Sequence, residues 1–299
     1  MLSFAGGAAS VVAVARPEPA AGQVLIQAEA VGAGVGLLRS LAGDPTGSPG
    51  GEVVGTVVAV GPGVSGFAKG DRVGGVVFAN AYAEFVVADP RLISTVPSDV
   101  SPGAAVAVVR GGLVALAALR TGRFAAGESL LVTAAASGVG HLAVQLARAL
   151  GASRVVGAVS SPDKSDFVHS CGANAVVTYA DPSWGGPVDL VLDGAGGPLA
   201  ARGIEALAPF GRLVAFSAGG GSVDAGTLLP GMKTVMGLTI GTLHRTQPSL
   251  IEALRTELWA LLAAGRLDPR HVDVPFEAAP DALALLASRA NPGRVVLLP

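Results

Sequence analysis

A single cysteine, Cys171, stands in 299 residues, so neither a disulfide framework nor a cysteine-rich zinc site can be built. Histidine is scarce too, with four residues. His141, His169, His244 and His271 are widely scattered, whereas a tetrahedral zinc site takes three or four nitrogen or sulfur ligands. Charge is thin too, at 14% Asp, Glu, Lys and Arg against about 25% in an average chain. The net charge of −2 offers no electrostatic footprint for nucleic acid or anionic lipid. Met1-Leu2-Ser3-Phe4 lacks the basic region and long apolar core of a secretory signal. The longest uncharged stretch near spanning length, Leu130 to Ala147, contains Ser137-Gly138-Val139-Gly140, His141 and Gln145. A strand, a turn and a helix suit it better than a lipid-facing span. A cytoplasmic chain is expected, with no nucleic acid and no membrane among its partners.

What the chain does hold is apolar: 51% hydrophobic residues suffice for a sizeable core and exclude intrinsic disorder. The first hundred residues read as short β-prone runs: Val24 to Val31, Val53 to Val60, Arg72 to Val77 and Ala83 to Val87. Gly61-Pro62-Gly63, Lys69-Gly70-Asp71 and Asp89-Pro90 punctuate them, as in a barrel-like antiparallel unit. From Ser101-Pro102, a cap followed by proline at the first helical position, the period changes. Strands at 130–133, 154–159, 176–178, 190–192 and 213–216 then alternate with helices near 139–150, 162–170 and 199–207. Such alternation implies right-handed crossovers and a doubly wound parallel sheet. A helix over 249–264 closes that unit, and strands at 272–276 and 295–298 return to the first. The fold class is α/β: a β-rich domain over 1–105 and 268–299, with a dinucleotide-binding domain over 106–267 inserted into it.

Ala134-Ala135-Ala136-Ser137-Gly138-Val139-Gly140 lies between a buried strand and an amphipathic helix. Small residues there let the backbone approach a pyrophosphate, whose charge the free N–H groups of a helix start stabilise. Ala135 and Ser137 stand where two glycines of G-x-G-x-x-G would be, so a tight turn without a ligand remains open. The next strand ends at Val159-Ser160-Ser161 without the acidic residue that would hold a ribose 2′-hydroxyl. Ser160, Ser161 and Lys164 offer donors suited to a 2′-phosphate, and Tyr179 just past the third strand adds to them. The competing reading of Lys164 is a solvated residue on a first helical turn.

Several segments together resemble the medium-chain dehydrogenases/reductases. They are 49–61 (Pro49-Gly50-Gly51-Glu52-Val53 onward), Gly70-Asp71-Arg72-Val73, Ala81-Tyr82-Ala83-Glu84-Phe85, the turn at 134–140, Leu192-Asp193-Gly194-Ala195-Gly196-Gly197 and Gly293-Arg294-Val295-Val296-Leu297. The order is the expected one, nearly the whole chain is covered, and the zinc-free quinone oxidoreductase and enoyl reductase branch is the most similar. The resemblance implies a GroES-like β-rich catalytic domain, a Rossmann domain and NADPH as cofactor. Ser137, Gly138 and Val139 would meet the pyrophosphate; Ser160, Ser161, Lys164 and Tyr179 would surround the 2′-phosphate. Ser217, Ala218 and Leu243 would lie beside the ribose and nicotinamide. Arg289, four residues before Gly293, would sit near the adenosine, unless it is merely solvated or ion-paired. Gly51 stands where the zinc-dependent branch carries a histidine, so no metal is expected.

One departure matters. The branch usually shows a polar loop, with Asn and Asp three apart, facing the nicotinamide. Here Val31-Gly32-Ala33-Gly34-Val35-Gly36-Leu37-Leu38 puts Gly34 and Leu37 at those positions, which implies apolar and empty space. Substrate-pocket candidates are Leu37, Asn80, Tyr82, Arg110 and His244, and no side chain stands out as the proton donor. The resemblance therefore implies an NADPH-dependent oxidoreductase delivering hydride to a quinone or α,β-unsaturated carbonyl, including a bulky aromatic or polyketide-like small molecule. A non-redox enzyme or an NADPH-binding sensor on the same fold is the alternative. Gly237-Leu238-Thr239-Ile240-Gly241 reads as an apolar β edge, and family members often pair such edges across a two-fold axis, so a homodimer is expected.

Overall fold

The computed structural model describes residues 1–4, 9–44, 48–216 and 219–299. They divide into two compact units, Met1–Arg110 with Arg270–Pro299, and Gly111–Pro269. In the first, β1 (Leu2–Ser3) and β2 (Ser10–Val11) form an antiparallel ribbon. The long β3 (Val24–Ala33) runs through Gly34 into α1 (Val35–Gly43). The stretch at 31–38 is therefore a strand end and a first helical turn rather than a loop. Helical spacing turns Leu37 inward, with Leu38 and Leu41 packed against the same core.

Next come β4 (Pro49–Val60), β5 (Arg72–Ala79), β6 (Phe85–Ala88) and β7 (Ile93–Thr95). β4 pairs antiparallel with β3 and β5, β6 with β3, and β7 with β5. The β3–β4 register shifts at Leu25/Ile26 and at Ala28/Ala30, and such irregularities add twist to a sheet. α2 (Pro102–Val106) opens as expected: Ser101 Oγ accepts from the Ala104 N–H at 3.3 Å, and Pro102 needs no partner. A π-helical turn (Ala107–Gly112) and α3 (Leu113–Thr121) follow. The division between units falls inside that turn, after Arg110 and not after residue 105. By length and hydropathy Pro102–Thr121 could cross a membrane, but 83% of its most apolar window is buried in the protein.

In the second unit the chain alternates: β8 (Ser129–Thr133), α4 (Gly140–Ala149), β9 (Arg154–Val159), α5 (Ser165–Ser170), β10 (Ala175–Thr178), β11 (Val188–Asp193), α6 (Leu199–Glu205), β12 (Leu207–Ala215) and β13 (Thr234–Gly237). The sheet order is β10-β9-β8-β11-β12-β13, all parallel. Covered on both faces, such strands read as unbroken apolar runs, as at Leu130-Leu131-Val132 and Leu190-Val191-Leu192, all 0% exposed. The order reverses between β8 and β11, and the gap at their carboxyl ends is where doubly wound sheets take ligands.

α7 (Ile240–Thr246) and α8 (Pro248–Ala263) complete this unit. The expected edge strand at 237–241 is corrected here. Gly237 ends β13, and Thr239 caps α7 by accepting from the Thr242 N–H at 3.3 Å, so the cap overrides the local β-propensity. The real edge is Thr234–Gly237. Finally β14 (His271–Pro275), α9 (Ala279–Ser288) and β15 (Arg294–Leu298) rejoin the first unit. β15 lies antiparallel to β3, and β14 parallel to β15.

Candidate active site

The turn after β8 is built by close approach. Ala134 takes a left-handed conformation (φ +51°), and the Ser137 N–H donates to its carbonyl at 2.9 Å. A Cβ on Gly140 would lie 2.1 Å from the Ala134 carbonyl oxygen, so this position admits glycine only. Ser137 braces the turn against the helix start: its Oγ accepts from the Gly140 N–H at 3.0 Å, and its carbonyl accepts from the His141 N–H at 3.1 Å. The half-buried Gly138 and Val139 N–H groups are left without a partner among the described residues, at the start of a ten-residue helix. Two such donors at the positive end of a helix dipole could hold an anion.

Across the switch point, the turn is tied to the loop after β11. Thr133, 0% exposed, donates from Oγ1 to Asp193 Oδ1 at 2.7 Å. The same Thr133 Oγ1 accepts from the N–H groups of Gly194 (3.0 Å) and Ala195 (3.1 Å). Asp193, 1% exposed, also accepts from the N–H groups of Ala195 (3.2 Å) and Gly196 (3.0 Å). A buried carboxylate satisfied in this way fixes both loops at once.

At the next strand end, Lys164 Nζ donates to Ser160 Oγ at 2.8 Å. Ser161 Oγ donates in a short contact to Asp163, and that bond, with Lys164 nearby, holds the Asp163 carboxyl below its ordinary range. The Tyr179 N–H donates to the Val159 carbonyl at 2.8 Å, which seats Tyr179 beside Ser160. Its phenolic oxygen accepts from the Ala134 N–H at 3.0 Å, so Tyr179 buttresses the turn after β8 itself. Leu243 is half-buried on α7; Ser217 and Ala218 lie outside the described residues. Arg289 ends α9 in a left-handed conformation, exposed, in the first unit.

In the first unit the space expected to be empty is filled by charge. Glu52 on β4 is 4% exposed and pairs with two guanidinium groups: Arg110 Nε at 3.0 Å, and Arg294 in a close contact. A Cβ on Gly34 would lie 2.6 Å from Arg294 Nη1, so the Arg294 side chain takes up the room a larger residue would need. Leu37, 3% exposed, packs in the core instead of lining an opening. Tyr82 is buried as well: its hydroxyl donates to the Gly32 carbonyl at 3.1 Å and its ring meets Phe4 edge-on. Burial, reinforced by Glu52, pushes its phenol well above the ordinary range. Asn80 is exposed, with φ +52°. His244 belongs to the other unit. Its Nδ1 lies 3.2 Å from the Ile240 carbonyl and its Nε2 3.0 Å from Arg255 Nη2. Since a guanidinium only donates, Nε2 accepts and the ring is neutral. Burial first, then Arg255, lowers its pKa.

Comparison with known proteins decides the family. Residues 20–98 match the profile described as alcohol dehydrogenase GroES-like domain, and 138–256 the one described as zinc-binding dehydrogenase. Mouse quinone oxidoreductase-like protein 2 is 30% identical over 84% of this chain and 75% of its own length. The chain belongs to the medium-chain dehydrogenase/reductase superfamily, in its quinone oxidoreductase branch. A mycobacterial member solved in complex with NADPH is 30% identical, covers 100% of both chains and superposes with a TM-score of 0.88. The Streptomyces orinoci spectinabilin polyketide synthase system protein NorB is 37% identical over 83% of this chain, which spans only 12% of NorB.

No group of three or more His, Cys, Asp or Glu among the described residues could hold a metal. Glu52, Arg294, Thr133 and Asp193 went unassigned on sequence alone, although Gly51-Glu52-Val53, Leu192-Asp193-Gly194 and Gly293-Arg294-Val295 were visible as motifs. A buried acid or arginine inside an apolar strand is the signal that points to them.

Proposed function

We propose that this chain is a zinc-independent, NADPH-dependent oxidoreductase that delivers hydride to a quinone or an α,β-unsaturated carbonyl. The observation that carries the reading is the pairing of two donor sets at adjacent strand ends. The unpartnered N–H groups of Gly138 and Val139 suit a pyrophosphate, and Lys164 with Ser160 suits a 2′-phosphate. The glycine-only approach at Gly140 supports the fit, because it brings the backbone against the ligand position. NADPH, when bound, supplies the hydride from its nicotinamide. The protein holds the two phosphate groups, and through Thr133–Asp193 keeps the loops at the switch point rigid.

No side chain among the earlier candidates is placed as a proton donor. Tyr82 is committed to the Gly32 carbonyl, His244 is neutral and held at both nitrogens, and Leu37 is in the core. Protonation by water fits acceptors whose reduced form is an enolate or hydroquinone anion. The likeness to NorB supports a polyketide-like acceptor. A homodimer through the β13 edge is supported by exposed Leu229 (77%) and Met232 (67%) just before that strand. A reducing, cytoplasmic setting agrees with the single Cys171, which forms no disulfide.

Steady-state oxidation of NADPH with simple quinones and conjugated enones is the test. Tight NADPH binding with no oxidation by any acceptor would replace the enzyme with a binding sensor. Elemental analysis finding near-stoichiometric zinc, lost together with activity, would overturn the metal-free chemistry.

A further inference from the structure

Away from the switch point, the second unit holds a cavity of about 320 Å³ between the loop after β10 and the end of α6. Pro182, Trp184, Pro187, Arg202, Glu205 and Ala206 are among its walls. Pro187 comes just before β11 and Ala206 just before β12, so the cavity lies toward the amino ends of those strands. The turn at 134–140 follows the carboxyl end of β8, at the other side of the same parallel sheet. The walls are fixed. The Val188 N–H donates to the Ala206 carbonyl at 2.9 Å, and a Cβ on Gly186 would lie 2.6 Å from that same oxygen. The Trp184 indole meets the Arg202 guanidinium, 4.6 Å from its ring centre, and the Tyr179 ring at 5.9 Å.

Three polar groups of this cavity are unspent. Arg202 donates from Nη1 to the Tyr179 carbonyl and from Nη2 to the carbonyls of Asp181 and Pro182. Its Nε–H is left without a partner among the described residues. Glu205, three residues on and exposed, has neither hydrogen bond nor ion pair among them. Trp184 is 3% exposed, and its Nε1 has no acceptor. Buried N–H groups are rarely left so, and an empty ligand position is one cause. An arginine and a glutamate three apart on one helix are neighbours that ordinarily pair, yet these two line one cavity unpaired. We propose that the cavity binds a zwitterionic α-amino acid with an apolar side chain. Its carboxylate takes Arg202 Nε–H and Trp184 Nε1–H, its ammonium meets Glu205, and its side chain lies on Pro182, Pro187 and Ala206. A lone cation would face Arg202 and a lone anion Glu205, whereas a dipolar ligand satisfies both. The volume, near the lower end of small-molecule sites at roughly 300 Å³, suits a ligand of that size.

Isothermal calorimetry on the full chain, without NADPH, tests this with L-leucine. Binding should saturate at roughly millimolar concentration. In Trp259→Phe, where Trp184 is the sole indole, emission should shift with the same constant. N-acetyl-L-leucine lacks the ammonium and L-leucinamide the carboxylate, so each should bind more weakly by about tenfold or more. Glu205→Gln should weaken L-leucine by a similar factor and leave N-acetyl-L-leucine unchanged. It should also keep the wild-type melting temperature, since that carboxylate has no partner to lose. L-leucine that fails to saturate, equal affinity for the three compounds, or wild-type affinity in Glu205→Gln would each overturn the assignment. Failure of the oxidoreductase reading looks different: no NADPH oxidation with any acceptor, while Glu205-dependent leucine binding persists.

Discussion

Thr133→Val removes one hydroxyl from the switch point while keeping shape and volume nearly constant. Three hydrogen bonds meet at that oxygen: one to Asp193 at 2.7 Å, one from Gly194 at 3.0 Å and one from Ala195 at 3.1 Å. Ala195 keeps a second acceptor in Asp193 at 3.2 Å, but Gly194 is left with no replacement. The bond to a charged, 1%-exposed carboxylate is worth about 1.5–3 kcal/mol, and an orphaned N–H costs about 1–3 kcal/mol. These overlap, because Asp193 still accepts from Gly196 at 3.0 Å, so the expected loss is about 2–4 kcal/mol. At roughly 2–4 °C per kcal/mol, the melting temperature of the cofactor domain should fall by about 5–15 °C. Thr133→Ser keeps the hydroxyl and should recover most of it. Calorimetry reads the shift, and a fluorescence titration should show weaker NADPH binding by Thr133→Val, since both loops at the strand ends loosen. A fall under about 2 °C, matching that of Thr133→Ser, would refute the claim that this network holds the site.

Lys164→Ala should weaken NADPH by about tenfold or more and NADH hardly at all, because one charge-assisted bond to a 2′-phosphate is lost; equal weakening of both cofactors in a fluorescence titration removes the assignment. Tyr82→Phe and Asn80→Ala should each change kcat by less than about tenfold, below the range of a dedicated acid; a thousandfold loss in either, with cofactor affinity intact, would reveal a donor. His244 is depressed below its ordinary value near 6.5, so at neutral pH both folded and unfolded chains hold it uncharged. Below that value the unfolded chain gains a proton that the folded one refuses, and stability should drop as pH falls. The slope should flatten in His244→Gln, compared by melting curves across that range. At micromolar concentration light scattering should give the mass of a dimer, and a monomer would remove the β13-edge interface.

Much of the architecture was legible in the chain because it rests on local patterns. The switch from short punctuated strands to strand–helix alternation reports which faces are buried. The Ser101-Pro102 start and the small-residue turn at 134–140 each follow from the chemistry of a few adjacent residues. Gly140 belongs here too, since its collision with Ala134 is made within one turn. Local propensity failed where a competing local signal won, as at 237–241, where Thr239 nucleates a helix in a β-prone run. What tertiary structure alone decided is the charge at the candidate site. Thr133 and Asp193 lie 60 residues apart, and Glu52 and Arg294 242 apart. Neither pair meets until strand order and register are set. Gly34 reads as a gap in the sequence, yet the Arg294 guanidinium reaches it because β15 returns beside β3 from the far end of the chain. Register in a sheet is collective: a slip of one residue would turn every side chain of the strand to the other face. No local rule could therefore have placed that arginine.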